Sequence, residues 1–265
     1  MSDSSCDSPL ATSTPAGPGS PLSLNPHERV VPGVSAEGVF TQHVARYAFA
    51  AAFAAGKSCL DVACGTGYGA AMLTRAGAAR VLGIEVDRGC VEYAIRNYGR
   101  LPQLEYRQGR AEALPVADGS IDLVVSFETL EHVRDLDGVL REIHRVLAPS
   151  GQFLLSTPNA LDSCFPAGWL GSHRRRPGNQ FHVREYTLRE LRRALRPRFE
   201  IDGVFGQHYR SMGAFLALSV AALAPPLRAK ASDAWHQRVQ GSGSDVSRAR
   251  FEVGAFIVLV AKRSA

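Results

Sequence analysis

The feature that most constrains the fold is a regular alternation of apolar runs and helical segments from residue 58 onward. Strands are predicted at residues 58–64, 79–86, 104–109, 120–127, 151–158, 198–206 and 251–263. Helices are predicted at residues 38–55, 68–77, 88–98, 136–147 and 187–196. This alternation predicts an α/β fold, in which a mainly parallel sheet carries helices on both faces. The last two strands are expected to form an antiparallel pair at one edge.

The segments outside this alternation have a different composition. Residues 1–26 are rich in Ser, Pro, Gly and Thr. They bury too little apolar surface to offset the entropy of ordering, so a disordered tail is expected. Residues 27–265 are predicted to form one domain, with a helical and loop insertion at 207–248. The apolar run from Gly213 is shorter than the roughly 20 residues that cross a bilayer, so no transmembrane segment is predicted.

Cysteine usage and charge restrict the class of protein. The chain has five cysteines, an odd number with no CxxC pair, which indicates reduced thiols rather than a disulfide scaffold. Because no secretory signal is recognisable either, a cytoplasmic location is predicted. The net charge is +5, and most of the positive excess lies in residues 172–198. That segment either meets an anionic group of a substrate or forms a solvated surface. The sequence makes no prediction about oligomeric state.

The stretch "DVACGTGYG" spans the end of the first predicted strand, with Asp61, and the turn after it, with Gly65, Gly67 and Gly69. Glycines at this point allow a tight turn and a close approach of a ligand to the backbone. The turn alone is weak evidence, because dinucleotide dehydrogenases carry a related GxGxxG pattern. The spacing here is GxGxG, and the next strand ends with Glu85, a carboxylate suited to a ribose diol. Together these features favour a nucleotide-type ligand over a plain tight turn.

A second unusual stretch, "FETLEHV", follows the fourth predicted strand. On a helix, Glu128, Glu131 and His132 stand at positions i, i+3 and i+4 and share one face. Further along, "STPN" at 156–159 precedes a segment that contains His182. Carboxylates combined with imidazole suit a hard or borderline divalent cation.

These motifs together strongly resemble the class I S-adenosylmethionine (SAM)-dependent methyltransferases of the type 11 kind. The resemblance covers roughly residues 38–210 and 251–263. It implies a Rossmann-like sheet of seven mainly parallel strands in the order 3-2-1-4-5-7-6, with helices on both faces. It also implies SAM as the methyl donor.

The resemblance implies a set of donor-binding residues. They are Asp61, Ala63, Gly65, Gly67, Gly69, Glu85, Val86, Arg110, Ala111 and Phe127. Asp61 would lie near the donor ammonium, and Glu85 would accept hydrogen bonds from both ribose hydroxyls. Val86 and Ala111 would contact the adenine. The family often has Asp where this chain has Arg110, and that Asp accepts a hydrogen bond from the adenine amino group. In this chain Glu112 or a water would replace that contact.

The ExxEH pattern resembles two groups within the family, the ubiquinone-biosynthesis O-methyltransferases and the small-RNA 2′-O-methyltransferases. In the second group these side chains and a later histidine hold Mg²⁺. The resemblance therefore implies Glu128, Glu131, His132 and His182 as ligands of Mg²⁺ or another divalent cation. Two alternatives stay open. His132, with Glu128 and Glu131, serves catalysis without a metal, or the group braces the local structure.

The function predicted from these features is O-methylation of a hydroxyl on a small-molecule or glycan-type acceptor. The stretches "ERVVPG", "HVARY" and "FHVREYT" are similar to bacterial methyltransferases of sugar and specialised-metabolite pathways. Alternatives are N- or C-methylation, methylation of an RNA 3′ end, and a non-enzymatic SAM-binding protein. The chain has no RNP pattern or zinc knuckle, which disfavours a nucleic-acid substrate.

Overall fold

The computed structural model describes residues 30–160, 179–209, 247–248 and 254–264. The predicted tail at 1–26, most of the predicted insertion at 207–248 and the apolar run from Gly213 lie outside the described residues. None of the helices in the described ranges is both long and apolar enough to cross a membrane.

Strands and helices alternate along the described chain as the sequence predicts. The helices are α1 (Glu37–Ala51), α2 (Tyr68–Arg75), α3 (Arg88–Tyr98), α4 (Leu136–Val146) and α5 (Leu188–Leu195). The strands are β1 (Ser58–Val62), β2 (Arg80–Glu85), β3 (Leu104–Gln108), β4 (Ile121–Phe127), β5 (Leu147–Pro158), β6 (Phe199–Tyr209), β7 (Ser247–Arg248) and β8 (Gly254–Arg263). The first helix ends at Ala51, short of its predicted end at residue 55.

The strands form one sheet in the order β3-β2-β1-β4-β5-β8-β6-β7. Strands β1 to β5 pair in parallel, and Leu60 of β1 faces both Leu82 of β2 and Val124 of β4. Strand β8 runs antiparallel to its neighbours β5 and β6. Without the two-residue edge strand β7, the order of the seven longer strands is the predicted 3-2-1-4-5-7-6. The predicted fold and antiparallel edge are therefore confirmed.

Both faces of the sheet are covered by helices. Alternate residues of a strand point to opposite faces, so Leu60 and Cys59 of β1 lie in different cores. The Leu60 core packs against α4 and α5, and the Cys59 core packs against α1, α2 and α3. Helices α1 to α3 therefore share one side of the sheet, and α1 reaches the edge where the parallel strands end.

Side-chain caps fix where three of the helices begin. The Asp87 carboxylate accepts a hydrogen bond from the backbone N–H of Cys90, so Asp87 is the N-cap of α3. Asp135 caps α4 in the same way through Gly138. Thr187 and Glu190 form a reciprocal capping box at the start of α5. Each cap satisfies a backbone donor that the helix itself leaves unpaired.

The structure corrects the helical interpretation of "FETLEHV". Glu128 has a φ of +52°, in the left-handed region, and only Leu130–His132 form a single 3₁₀ turn. Strand β4 stays paired with β5 through Phe127 and Ser156, and the Glu128 backbone N–H still donates to the Ser156 carbonyl at 3.0 Å. The chain is therefore bound to the sheet up to Glu128 and must turn sharply there, so the three polar residues do not share one helical face.

Candidate functional site

A cavity of about 940 Å³ opens where the parallel strands end. Its walls come from the segments after β1, β2, β3 and β4, from α1, and from the segment that contains His182. Ligands of open α/β sheets bind at the carboxyl ends of the strands. The volume lies at the upper end of the roughly 300–1,000 Å³ typical of ligand pockets. The cavity is therefore large enough to hold more than one small molecule.

The glycines of the turn after β1 have different surroundings. Gly65 lines the cavity with a φ of +54°. Gly67 has a φ of +85°, and a Cβ there would lie 2.5 Å from the Ala94 side chain. A Cβ on Gly69 would lie 2.0 Å from the Tyr47 ring. Gly65 thus contributes to the cavity surface, whereas Gly67 and Gly69 allow close packing behind it.

Glu85 stands at the end of β2, lines the cavity and is 5% exposed. Its Oε2 accepts a hydrogen bond from the backbone N–H of Gly65 at 3.0 Å, and its Oε1 accepts one from Asp87 at 3.0 Å. A carboxylate has about four acceptor positions, so about two remain for a ligand. These two bonds join the ends of β1 and β2 and fix the orientation of the carboxylate.

Asp61 does not line the cavity. It is fully buried at 0% exposure, and both of its oxygens lie within hydrogen-bond distance of the Tyr47 hydroxyl, at 3.0 and 3.1 Å. Burial raises the pKa of Asp61 to about 7, and the charge of Glu85 adds to the rise, while the Tyr47 hydrogen bond opposes it. The predicted contact between Asp61 and a donor ammonium stays a prediction.

The remaining predicted donor-binding residues all line the cavity. They are Ala63, Val86, Arg110, Ala111 and Phe127. The loop after β3 is held from α4, because Arg145 donates to the carbonyl groups of Leu114 and Val116. This clamp fixes the segment that carries Arg110 and Ala111.

Helix α1 contributes three polar residues that the sequence analysis did not single out as functional, namely His43, Arg46 and Tyr47. His43 and Tyr47 line the cavity, and Arg46 is buried beside it. Burial lowers the pKa of His43, and the charge of Arg46 lowers it further, so the imidazole is neutral near pH 7. Their i, i+3, i+4 spacing was the available signal, because it places all three on one face of the helix.

Glu128 lines the cavity at the end of β4. Its Oε1 accepts a hydrogen bond from the Ser156 hydroxyl at 2.7 Å and lies 2.9 Å from Nη1 of Arg46. Glu128 and Ala63 are the two non-glycine residues with positive φ in the described ranges. They follow neighbouring strands, so the backbone strain is concentrated at the cavity.

Glu131 is fully buried, yet it also reaches the cavity wall. The Thr157 hydroxyl donates to its Oε2 at 2.9 Å, whereas Oε1 is buried with no hydrogen-bond partner among the described residues. Burial raises the pKa of Glu131 well above its usual range, and the nearby charge of Glu128 raises it further. An uncompensated buried carboxyl of this kind is costly unless a ligand or cation satisfies it.

Two histidines lie beside Glu131. The rings of His132 and His182 are 4.9 Å apart, and ligand atoms of both residues and Glu131 lie within 4.8 Å of one another. Nδ1 of His132 lies 3.1 Å from the Phe181 carbonyl, and Nδ1 of His182 lies 2.7 Å from a Glu185 oxygen. Both Nδ1 atoms thus face oxygen acceptors, an arrangement that is common in metal-binding histidines.

The structure therefore brings together three of the four predicted metal ligands. Glu131, His132 and His182 form the cluster, and Glu128 lies outside it. The amide nitrogen of Asn179 lies 3.0 Å from Nε2 of His182, so this nitrogen has a protein partner.

Comparison with known proteins identifies the family. A family model described as a methyltransferase domain matches residues 60–155, from β1 to β5. A probable SAM-dependent methyltransferase of Mycobacterium tuberculosis is 32% identical over 234 residues, which cover 86% of this chain and 81% of that protein. The chain belongs to the SAM-dependent methyltransferases. A probable methyltransferase of Mycolicibacterium smegmatis is 36% identical over 181 residues, or 68% of this chain and 66% of that relative.

Solved structures share the fold of this methyltransferase at low sequence identity. A putative methyltransferase of Haloferax volcanii, solved with the Trm112 activator, has a TM-score of 0.58 at 18% identity, covering 86% of this chain and 92% of its own. The [4+2]-cyclase SpnF has a TM-score of 0.56 at 23% identity, covering 86% and 82%. Because one neighbour is named a cyclase, the fold alone does not fix the reaction.

Two shorter matches carry names that specify the methylated atom. A ubiquinone biosynthesis O-methyltransferase of Pseudomonas paraeruginosa is 40% identical over 112 residues, covering 40% of this chain and 46% of that protein. A ubiquinone/menaquinone biosynthesis C-methyltransferase of Rubrivivax gelatinosus is 39% identical over 126 residues, covering 47% of each. Sequence identity therefore does not separate transfer to oxygen from transfer to carbon in this methyltransferase.

Proposed function

We propose that this methyltransferase transfers the methyl group of SAM to a hydroxyl oxygen of a small-molecule or glycan-type acceptor, with assistance from a divalent cation. The observation that carries the proposal is the convergence of Glu131, His132 and His182 at one end of the cavity. An alcohol is a weak nucleophile and needs a base or a metal that lowers its pKa, whereas an amine needs neither.

In this proposal SAM occupies the part of the cavity between Gly65 and Ala111. The two free acceptor positions of Glu85 bind the ribose hydroxyls, and Val86 packs against the adenine. The partly exposed Val86 side chain and the fixed Glu85 carboxylate support this arrangement. The methionine part follows the turn at Ala63–Gly65, which points the methyl group toward Phe127 and Glu128.

The residues at the acceptor end fit a divalent cation. The buried Oε1 of Glu131 lacks a partner in the described part of the chain, and a cation bound there would satisfy it. The two histidines are oriented through Nδ1, as is usual for metal-binding histidines. Glu131, His132 and His182 would hold the cation, which would supply a Lewis acid that lowers the pKa of an acceptor hydroxyl.

The other residues of the chain bind, orient and shield the reactants. Helix α1 covers the donor side through Tyr47, and the segment with His182 closes the acceptor side. Such positioning of donor and acceptor in line is a main source of rate enhancement in a displacement reaction. Among the relatives with named reactions, the O-methyltransferase of ubiquinone biosynthesis agrees with this proposal, and the C-methyltransferase supports carbon as the second candidate acceptor atom.

The test is methyl transfer from labelled SAM to phenol, catechol, methyl glucoside and a ribonucleoside, with and without EDTA. Transfer to at least one hydroxyl is expected, with loss in EDTA and recovery on addition of Mg²⁺ or Mn²⁺. Glu131→Gln and His182→Ala are expected to lower the rate by roughly 100-fold or more, because each removes a ligand. The matched controls are Glu92→Gln, on the exposed surface of α3, and His144→Ala on α4.

Two results would contradict the proposal in different ways. Methylation of an amine or carbon acceptor without transfer to any hydroxyl excludes the oxygen assignment. Transfer to oxygen that is unchanged by EDTA and by both ligand variants excludes the cation.

A further inference from the structure

Glu128 is separate from the cluster formed by Glu131, His132 and His182. Its Oε1 is held by the Ser156 hydroxyl at 2.7 Å and by Nη1 of Arg46 at 2.9 Å. No described residue forms a hydrogen bond to its Oε2, and 14% of the side chain is exposed in the cavity. One oxygen is therefore anchored by the protein, and the other is available to a ligand.

Arg46 is an unusual residue for its position. Its side chain is 1% exposed, and its guanidinium packs over the Phe256 ring at 4.6 Å. Nε, Nη1 and Nη2 are buried without hydrogen-bond partners in the described ranges, since the contact with Glu128 has the distance of an ion pair but not the geometry of a hydrogen bond. Burying a guanidinium in this way costs free energy, and replacing such pairs with apolar residues is often stabilising. The pair therefore requires an explanation other than stability.

The backbone of Glu128 adds a second cost. Its φ of +52° lies in the left-handed region, which is strained for a residue that carries a Cβ. The strained conformation is enforced by the backbone N–H of Glu128, which donates to the Ser156 carbonyl at 3.0 Å. Both costs act at one carboxylate and fix its position at the edge of the cavity, next to Phe127 and Thr129.

We propose that Glu128 is the general base of the transfer and that Arg46 is the residue that positions it. The proposal rests on the O-methylation described above. Oε2 accepts the hydrogen bond of the acceptor hydroxyl. When the acceptor oxygen attacks the methyl carbon, the C–O bond forms, the C–S bond breaks, and its electron pair stays on sulfur in S-adenosylhomocysteine. The hydroxyl proton passes to Glu128 and is then released to water, which restores the carboxylate.

This assignment gives the two carboxylates of the motif different tasks. Glu131 is buried with a raised pKa and belongs to the cation cluster. Glu128 is anchored through Oε1 by the Arg46 guanidinium, and its Oε2 stays available to a ligand in the cavity. A base needs an oxygen within hydrogen-bond reach of the acceptor hydroxyl, so the arrangement around Glu128 suits the second task.

The first readout compares acceptors of different acidity. Wild type and Glu128→Gln are assayed with the best hydroxylated acceptor from the panel and with its more acidic fluoro or nitro analogue. Glu128→Gln is expected to lower the rate with the parent acceptor by roughly 100-fold or more, the usual contribution of general base catalysis. The loss is expected to shrink to less than roughly tenfold with the acidic analogue, which needs less help to ionise. Equal losses on both acceptors, or no loss, overturn the proposal.

The second readout is the affinity for Mn²⁺ and for SAM, measured by calorimetry on the same proteins. Glu128→Gln is expected to bind both within about threefold of wild type, whereas Glu131→Gln loses Mn²⁺ affinity by about tenfold or more. Loss of Mn²⁺ affinity in Glu128→Gln would make Glu128 a metal ligand and overturn the assignment. If wild type methylates no hydroxyl at all, the proposed function fails, and this inference fails with it.

Arg46 is tested with a conservative and a non-conservative variant. Arg46→Met is expected to show the same acidity-dependent rate loss as Glu128→Gln, and Arg46→Lys, which keeps the charge, is expected to recover part of it. Thermal unfolding checks that the variants are folded. If Arg46→Met loses SAM affinity instead, or if Arg46→Lys and Arg46→Met lose activity equally on both acceptors, Arg46 does not act through Glu128.

Discussion

Gly69 shows how one residue connects helix α1 to the glycine-rich segment after β1. The ring of Tyr47 occupies the space where a Cβ would stand, at 2.0 Å from that position. Gly69→Ala is therefore expected to displace Tyr47 and to lower the free energy of unfolding by roughly 1–3 kcal/mol, measured by urea titration. The matched control is Gly38→Ala in α1, where nothing lies within 4 Å of the added Cβ. An equal effect of the two substitutions would contradict this packing.

Asp61 gives the stability of the protein a specific pH dependence. Burial raises its pKa from 3.8 to about 7, so the folded chain keeps this proton in a range where the unfolded chain has lost it. The stability linked to this group is present below the unfolded pKa and is lost as the pH rises through about 7. Between about pH 5 and about pH 8, wild type is expected to lose at least roughly 1 kcal/mol relative to Asp61→Asn in urea titrations. A difference that does not change with pH would contradict the raised pKa.

Among single residues, the sequence predicts a place in the cavity best for those whose position follows from a strand end or a turn. Glu85 and Gly65 follow directly from strand ends and turn geometry, and both line the cavity. Arg46 and Tyr47 could not be assigned in the same way, because their partners Glu128 and Asp61 are distant in sequence and come close only in the folded sheet.

Among the elements, α5 fixes the segment that contains His182. Thr187 and Glu190 cap this helix reciprocally, two residues after Glu185, which holds the His182 ring. Thr187→Ala is expected to lower the free energy of unfolding by about 1 kcal/mol. Arg189→Ala, an exposed change in the same helix, is expected to stay within about 0.5 kcal/mol. Chemical denaturation of both variants measures the difference, and equal effects would exclude the capping role.

The elements themselves were largely predictable, because alternating apolar runs and cap residues are local signals. The helix assumed for "FETLEHV" was not, since its conformation is set by pairing with Ser156 in β5, 28 residues further along the chain. The same long-range pairing separates Glu128 from Glu131. Three of the four residues predicted as metal ligands thus lie together in the structure, whereas the position of Glu128 depends on a contact that the local sequence does not encode.

For the whole molecule, the strand order and the two helical layers follow from the alternation and the family resemblance, and both are confirmed. The acceptor is a different matter. In the proposed arrangement, the cavity joins a donor region at the strand ends, covered by α1, to an acceptor region that is closed by the segment with His182. Local patterns specify the first region, whereas the second depends on side chains that meet only after folding.

The most direct test of this account is a calorimetric titration of the protein with SAM. A single saturable site per chain is expected. Glu85→Ala is expected to weaken it by at least roughly tenfold, or about 1.4 kcal/mol, because it removes the proposed ribose contact and the bond to Gly65. Glu92→Ala, an exposed glutamate on α3, is expected to bind like wild type. No saturable binding of SAM by wild type, or an unchanged affinity in Glu85→Ala, would contradict the placement of the donor at the ends of β1 and β2.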